Sequence, residues 1–127
     1  MTDWVRDYIG QPWIYGEHDC WAFFRKVQKE RFGRDVPIID VNAFNTLECV
    51  RAFVGHEERA NWIEIPNTQQ AKDGDAVLMS QSKRPTHVGV WVNGAVLHCV
   101  RNTGVVYTNE KNLKSFPYNI TGIYRAR

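Results

Sequence analysis

Two apolar runs joined by Asn93-Gly94 constrain the fold of this 127-residue chain more than any other feature of its sequence. The runs, Thr86 to Val92 and Ala95 to Val100, have the length and the residue types of β-strands. An Asn-Gly pair between two strands is typical of a type I′ turn, whose twist matches the twist of paired strands. The sequence therefore predicts a hairpin over 86–100.

Further strands are predicted on both sides of this hairpin. Ala76 to Met79 follows a turn at Lys72 to Asp75, and Gly104 to Thr108 and Ile120 to Arg125 have strand composition. With the hairpin, these segments give an antiparallel sheet of about five strands. Trp62 to Pro66 is predicted to be a short strand or an extended segment.

The first half of the chain has helical periodicity instead. Asp3 to Gly10 carries apolar residues at helical spacing, and a longer helix is predicted from Cys20 to about Phe32. Asp19 can cap the start of that helix and Gly33 can end it. Asn42 to Val54 is predicted to be a second core helix. The fold class is therefore α+β, with helices packed on one side of the sheet.

Length and composition are those of one globular domain over residues 1–127. The net charge of +2 comes from scattered residues, which argues against a nucleic-acid partner. No apolar stretch approaches the roughly 18 residues of a membrane span, and the N-terminus lacks the pattern of a signal peptide. We expect synthesis in the cytoplasm, no membrane span and no cofactor.

Three cysteines leave at least one thiol unpaired, which argues against a disulfide framework and favours a reducing compartment. Cys49 falls in the apolar register of a predicted helix and Cys99 in an apolar strand, so both are interpreted as buried structural thiols. Cys20 differs because it is expected at the first turn of a helix, where the partial positive charge of the helix N-terminus favours a thiolate.

Two histidines complete a candidate catalytic group with Cys20. Strand alternation places His87 and His98 on neighbouring strands, where both can point toward the N-terminus of the Cys20 helix. A thiolate needs a base and a residue that orients the base, so the sequence predicts a thiolate–imidazolium pair of Cys20 and His87, with His98 behind it. The backbone N–H of Cys20 and a side-chain donor from the preceding loop could bind the oxyanion.

Other interpretations of these residues stay open. His98 could be a core histidine that bonds to a backbone carbonyl, and Cys20, His87 and His98 could instead be three ligands of an open zinc site, although no pair has short metal-site spacing. His18 and His56 are predicted to face solvent or to act as local caps, with His18 close enough to Cys20 to line the cleft. Three aromatic residues could serve packing alone: Trp13, Tyr15 and Trp21.

The chain resembles the NlpC/P60 cysteine peptidases, which cut peptides of bacterial cell-wall peptidoglycan. The matching stretches, in the family's order, are Pro12-Trp13-Ile14-Tyr15-Gly16, Asp19-Cys20-Trp21, Lys72-Asp73-Gly74-Asp75-Ala76-Val77, His87-Val88-Gly89-Val90-Trp91 and Leu97-His98. The resemblance implies a papain-like fold, with Cys20 as nucleophile, His87 as general base and His98 as orienting residue.

The segment before Cys20 also departs from the family pattern. Trp13 stands where many members have a tyrosine whose hydroxyl helps to bind the oxyanion, and bulky Trp21 follows the cysteine where others have a small residue. Trp13, Asp19 and Trp21 are therefore the candidate substrate- and oxyanion-binding residues. These variants resemble the branch found in bacteriophage tail proteins.

The resemblance implies a cysteine endopeptidase or amidase that cleaves peptide bonds of peptidoglycan and is encoded by a phage or prophage. Its partners would be peptidoglycan stem peptides and phage tail proteins, and its location the virion tail or the host periplasm. One alternative is a structural component of tail assembly with weak or no hydrolysis, which several tryptophans exposed in one patch would favour. Another is an acyltransferase or amidase that acts on a small molecule or a lipid.

Overall fold

The computed structural model describes residues 3–38, 57–81 and 86–127. These ranges contain one α-helix, α1 (Cys20–Phe32), and a single sheet of six strands. The strands are β1 (Trp62–Ile65), β2 (Ala76–Ser80), β3 (His87–Val92), β4 (Ala95–Val100), β5 (Gly104–Thr108) and β6 (Asn119–Ala126). Short 3-10 helices lie at Asp3–Asp7, Glu57–Asn61, Thr68–Gln70 and Asn112–Ser115.

The sheet has the order β1-β6-β2-β3-β4-β5, and every neighbouring pair is antiparallel. The predicted α+β class is therefore confirmed, with six strands where about five were expected. The additional strand is β1, the segment with two interpretations, which pairs with β6 from Trp62 opposite Ala126 to Ile65 opposite Ile123. Its place at the sheet edge depends on a partner more than fifty residues away, which local pattern cannot reveal.

The hairpin between β3 and β4 has the predicted turn. Asn93 and Gly94 have φ angles of 47° and 85°, and two successive positive values are the signature of type I′. The backbone N–H of Asn93 also donates to Asp73 Oδ1 at 2.8 Å, which attaches this turn to the one that precedes β2. The hairpin register places Val90 opposite Leu97.

Helix α1 begins and ends where the sequence predicts. Gly33 adopts the left-handed conformation that a helix C-terminus favours, with φ 66°, and its N–H donates to the Gln28 carbonyl. Phe23, Phe24 and Val27 are buried against β3 and β4. Each buried side chain of this size stabilises the fold by about 1.5–3 kcal/mol, so packing rather than intrinsic propensity holds the helix on the sheet.

The two faces of the sheet are covered differently. Val88, Val90 and Val92 point toward α1, whereas Trp91 points to the opposite face, which packs against residues 109–118. The α-helix of the described residues therefore packs on one face, as predicted, and the second face is closed by a connecting segment that contains the short 3-10 helix at Asn112–Ser115.

Some predicted elements differ in extent or lie outside the described ranges. The N-terminal helix is a 3-10 helix over Asp3–Asp7 and is shorter than predicted. The predicted helix from Asn42 to Val54, with Cys49, and His56 lie outside the described residues. Within residues 3–38, 57–81 and 86–127, no helix has both the length and the apolar character needed to cross a membrane.

Candidate active site

Cys20 is the first residue of α1, and its side chain is half-buried. Asp19 immediately before it is the N-cap: Oδ1 accepts a hydrogen bond from the Ala22 N–H at 2.9 Å, as predicted. Oδ2 accepts a second bond from the Gly16 N–H at 3.2 Å. One carboxylate therefore fixes both the loop before Cys20 and the first turn of its helix, where the helix dipole favours negative charge.

His87 and His98 are brought together by the β3–β4 hairpin. His87 Nε2 lies 2.8 Å from His98 Nδ1, a hydrogen bond between two side chains that are 4% and 0% exposed. The interpretation of His98 as a core histidine bonded to a backbone carbonyl is not what the structure shows, because both of its ring nitrogens contact side chains. The second contact is from Nε2 to Thr108 Oγ1, at 3.3 Å.

An aromatic pair covers the two histidines. The Tyr118 ring stacks on the His87 ring with centroids 4.4 Å apart and planes within 5° of parallel, and it meets His98 edge-on. Phe116 also meets the His98 ring edge-on and stacks on Tyr118. The hydrogen bond between the histidines is therefore shielded from water by rings that come from the segment between β5 and β6.

Burial keeps both imidazoles neutral. Loss of water lowers the pKa of His87 well below the usual value, and the neighbouring His98 lowers the same pKa further. Burial alone lowers the pKa of His98 from 6.5 to about 4. An imidazolium at His87 is thus disfavoured unless a negative charge forms beside it.

The histidines and the body of α1 lie on opposite faces of the sheet. By strand alternation His87 lies on the face of Trp91, and His98 on the face of Val96, which belongs to the same cluster as Trp91, whereas α1 packs on the face of Val88 and Val90. Tyr118, which covers His87, has its pKa raised to about 12, mainly by burial and in addition by the negative charge that Cys20 carries when it is ionised. This contribution indicates that the start of α1 lies near the ring that covers His87.

Gly89 permits the close approach of β3 and β4 at the histidines. A Cβ atom at this position would lie 2.6 Å from Val96 Cγ1 and 3.0 Å from His98 Cβ. Both distances are shorter than ordinary packing allows, and the Leu97 carbonyl oxygen would lie 3.1 Å away, so a larger residue would require neighbouring atoms of β4 to shift. Close packing of the two strands therefore explains why the His-Val-Gly stretch has a glycine at position 89.

The two tryptophans predicted to bind substrate have different surroundings. Trp13 lies half-buried in the loop before α1, with the Arg101 guanidinium 5.8 Å from its ring centroid. Trp21 donates its indole N–H to the Pro37 carbonyl at 3.0 Å and stacks on Phe24. Trp21 thus attaches residues 33–38 to the helix, and substrate binding by either tryptophan stays a prediction.

His18 and Cys99 form a separate cluster beneath the same loop. The half-buried His18 ring contacts the Pro12 carbonyl through Nδ1 at 2.6 Å, and Cys99 Sγ donates to the His18 carbonyl at 3.3 Å. Burial raises the pKa of Cys99 to about 12. Cys99 is therefore an unreactive buried thiol, as predicted, and His18 is more enclosed than a solvent-facing residue would be.

The sequence model of the NlpC/P60 family matches residues 10–124. This chain belongs to the NlpC/P60 family. The match includes every candidate catalytic residue and the segment that carries Tyr118. Members of this family are usually cysteine peptidases or amidases that act on peptidoglycan. A search of the curated proteins found no match to the chain.

Two residues of the site in this NlpC/P60 domain, Thr108 and Tyr118, carry no sequence signal that predicts their place beside the histidines. Thr108 ends a strand whose offset against β4 depends on the turn at residues 101–103, so its position beside His98 could not be derived from alternation alone. Tyr118 follows Phe116-Pro117 in a segment without periodicity. Within the described ranges, no three residues of the His, Cys, Asp and Glu types are grouped to hold a metal ion.

Proposed function

We propose that this chain is a cysteine endopeptidase or amidase that cleaves peptide bonds of peptidoglycan. In this proposal Cys20 is the nucleophile, His87 is the general base and His98 orients His87. The observation that carries it is the buried bond between His87 Nε2 and His98 Nδ1, because it directs the other nitrogen of His87, Nδ1, away from His98. Nδ1 is then the atom that can accept the thiol proton.

The reaction follows in two steps. Cys20 Sγ attacks the carbonyl carbon while His87 Nδ1 takes the thiol proton, and the same proton then passes to the leaving amine as the C–N bond breaks. Water next attacks the thioester while His87 takes one of its protons. The C–S bond breaks and the proton returns to sulfur, which restores the starting state.

The low pKa of His87 changes the resting state that the sequence predicts. A buried imidazolium is unfavourable here, so we propose a neutral thiol and a neutral imidazole before substrate binds. The proton moves when negative charge develops on the substrate oxygen. The backbone N–H of Cys20, at the start of α1, supports that charge, and Trp13 is the proposed side-chain donor from the loop.

The proposed substrate is a stem peptide of the cell wall, and the proposed origin is a phage or prophage. The origin is supported only by the likeness of Pro12-Trp13 and Asp19-Cys20-Trp21 to tail-associated members. A purely structural role in tail assembly would be favoured by tryptophans exposed in one patch. None of the five tryptophans, all of which lie in the described residues, is exposed.

Digestion of purified peptidoglycan tests the hydrolase. The wild type should release new peptide termini, read by mass spectrometry, and Cys20→Ala should release none. Cys99→Ala is the matched control because it removes a thiol that is buried and unreactive, and it should cleave at close to the wild-type rate. Circular dichroism establishes that both variants fold. Cleavage by folded Cys20→Ala, or no cleavage by the wild type, would contradict the proposal.

A further inference from the structure

Thr108 is a buried polar residue at the end of β5 that takes no part in the two proposed reaction steps. We propose that Thr108 is a positioning residue that fixes the tautomer of His98 and, through His98, the tautomer of His87. This inference rests on the proposed function, since it assigns a role to Thr108 within the same site. The chain of contacts is His87 Nε2 to His98 Nδ1, then His98 Nε2 to Thr108 Oγ1.

The proposed reaction determines which atom donates and which accepts in each of these hydrogen bonds. A neutral imidazole carries its proton on one nitrogen and a lone pair on the other. For His87 Nδ1 to accept the thiol proton, the proton of neutral His87 must lie on Nε2. His98 Nδ1 must then accept a hydrogen bond from this N–H. The proton of His98 is then on Nε2, which needs an acceptor of its own, and Thr108 Oγ1 lies 3.3 Å away.

The protonated state imposes the same direction. Once His87 has taken the thiol proton, both of its nitrogens donate, so His98 Nδ1 can only accept. A threonine hydroxyl can accept from His98 Nε2 both before and after this step, because it has two lone pairs as well as its own proton. Thr108 therefore stabilises one orientation of the relay in the resting and the charged states.

The position of Thr108 is fixed by the sheet. Thr108 is paired with Val96 in the β4–β5 register, and Val96 lies two residues before His98 on the same face. Thr108 is 7% exposed and His98 is 0% exposed, so water cannot readily replace the hydroxyl. A buried N–H without an acceptor is unfavourable, so loss of the hydroxyl would favour moving the His98 proton to the other nitrogen.

The test compares Thr108→Val, which removes the hydroxyl at nearly constant shape, with Thr108→Ser, which keeps it. Nitrogen-15 NMR of labelled protein identifies the tautomer of His98 from the signals of its two ring nitrogens. These signals are assigned by their absence in the spectrum of His98→Asn. Iodoacetamide labelling measures the reactivity of Cys20 across pH. We expect Thr108→Val to populate the other His98 tautomer and to slow alkylation about fivefold, the factor that the net contribution of one neutral hydrogen bond typically corresponds to. Thr108→Ser should match the wild type.

Two outcomes would overturn the inference: an unchanged His98 tautomer in Thr108→Val, or a Thr108→Ser variant as slow as the valine variant. Thr108→Ala offers a second hydroxyl-free side chain in case valine prevents folding. The tautomer is read without any substrate. A wild type that leaves peptidoglycan intact would therefore reject the proposed hydrolase, while the NMR comparison would still decide the role of Thr108.

Discussion

The two histidines of this site are held in place by aromatic rings as well as by hydrogen bonds. Tyr118 lies flat on His87, and its neighbour Phe116 meets His98 edge-on, so the imidazole pair is enclosed on the side away from α1. A hydrogen bond in such an environment is stronger than in water because no solvent competes for its atoms. The Tyr118 hydroxyl stays protonated at neutral pH, since its pKa is about 12. The ring itself, rather than ionisation of its hydroxyl, is expected to matter most.

Replacement of Tyr118 separates these contributions. Tyr118→Phe keeps the stacked ring and should retain activity close to that of the wild type. Tyr118→Leu removes the ring, admits water to the His87–His98 bond and should lower kcat about fivefold, in line with the roughly 0.5–1.5 kcal/mol of an aromatic pair. Kinetics on a soluble wall peptide measure both variants. A phenylalanine variant as slow as the leucine variant would show that the hydroxyl, not the ring, is required.

Among the secondary-structure elements, the sequence predicts well the helix ends and turns that a few adjacent residues determine. The cap at Asp19, the end of α1 at Gly33 and the turn at Asn93-Gly94 each depend on a few adjacent residues, and all three are confirmed. The pairing of β1 with β6 and the contact of Thr108 with His98 depend on distant partners and were not predicted. The placement of Tyr118 over His87 depends on an irregular segment, for which no periodic signal exists.

The cap at the start of α1 gives a test at this scale. Asp19→Ala removes the bonds from the Ala22 and Gly16 amides and should lower the free energy of unfolding by about 1 kcal/mol, the usual cost of losing an N-cap. Asp19→Asn keeps an oxygen in the capping position and should lose much less. Urea denaturation measures both values. Equal losses in the two variants would mean that the charge, rather than the capping bond, stabilises the helix start.

For the whole molecule, the site joins two layers that pack on opposite faces of one sheet. The nucleophile belongs to the layer of α1, and the covering rings belong to the segment between β5 and β6. The bonded histidines lie on the second face, and their burial couples the protonation of the site to the stability of the domain. Acid should therefore act on the fold as well as on the reaction.

The sign of this coupling can be worked out from His98. Its pKa is 6.5 when exposed and about 4 in the fold, so between these values the unfolded chain binds a proton that the folded chain does not. The free energy of unfolding should therefore fall as pH decreases from about 6.5 to about 4. At about 1.4 kcal/mol per pH unit, His98 alone accounts for about 3 kcal/mol, and His87 acts in the same direction.

Urea denaturation at several pH values between 7 and 4 measures this loss, with His98→Gln as the matched variant. Glutamine can still form hydrogen bonds but does not titrate, so its unfolding free energy should fall less steeply with decreasing pH. Titrating groups distant from position 98 are common to the two proteins, and their contributions largely cancel in the difference. His87 is the exception: without His98 its pKa is lowered less, which also makes the pH dependence of the variant less steep. Parallel pH dependences in the wild type and His98→Gln would mean that His98 titrates in the fold as it does in the unfolded chain. A steeper fall of the unfolding free energy in the wild type would show that protonation of the buried histidines contributes to the loss of stability in acid.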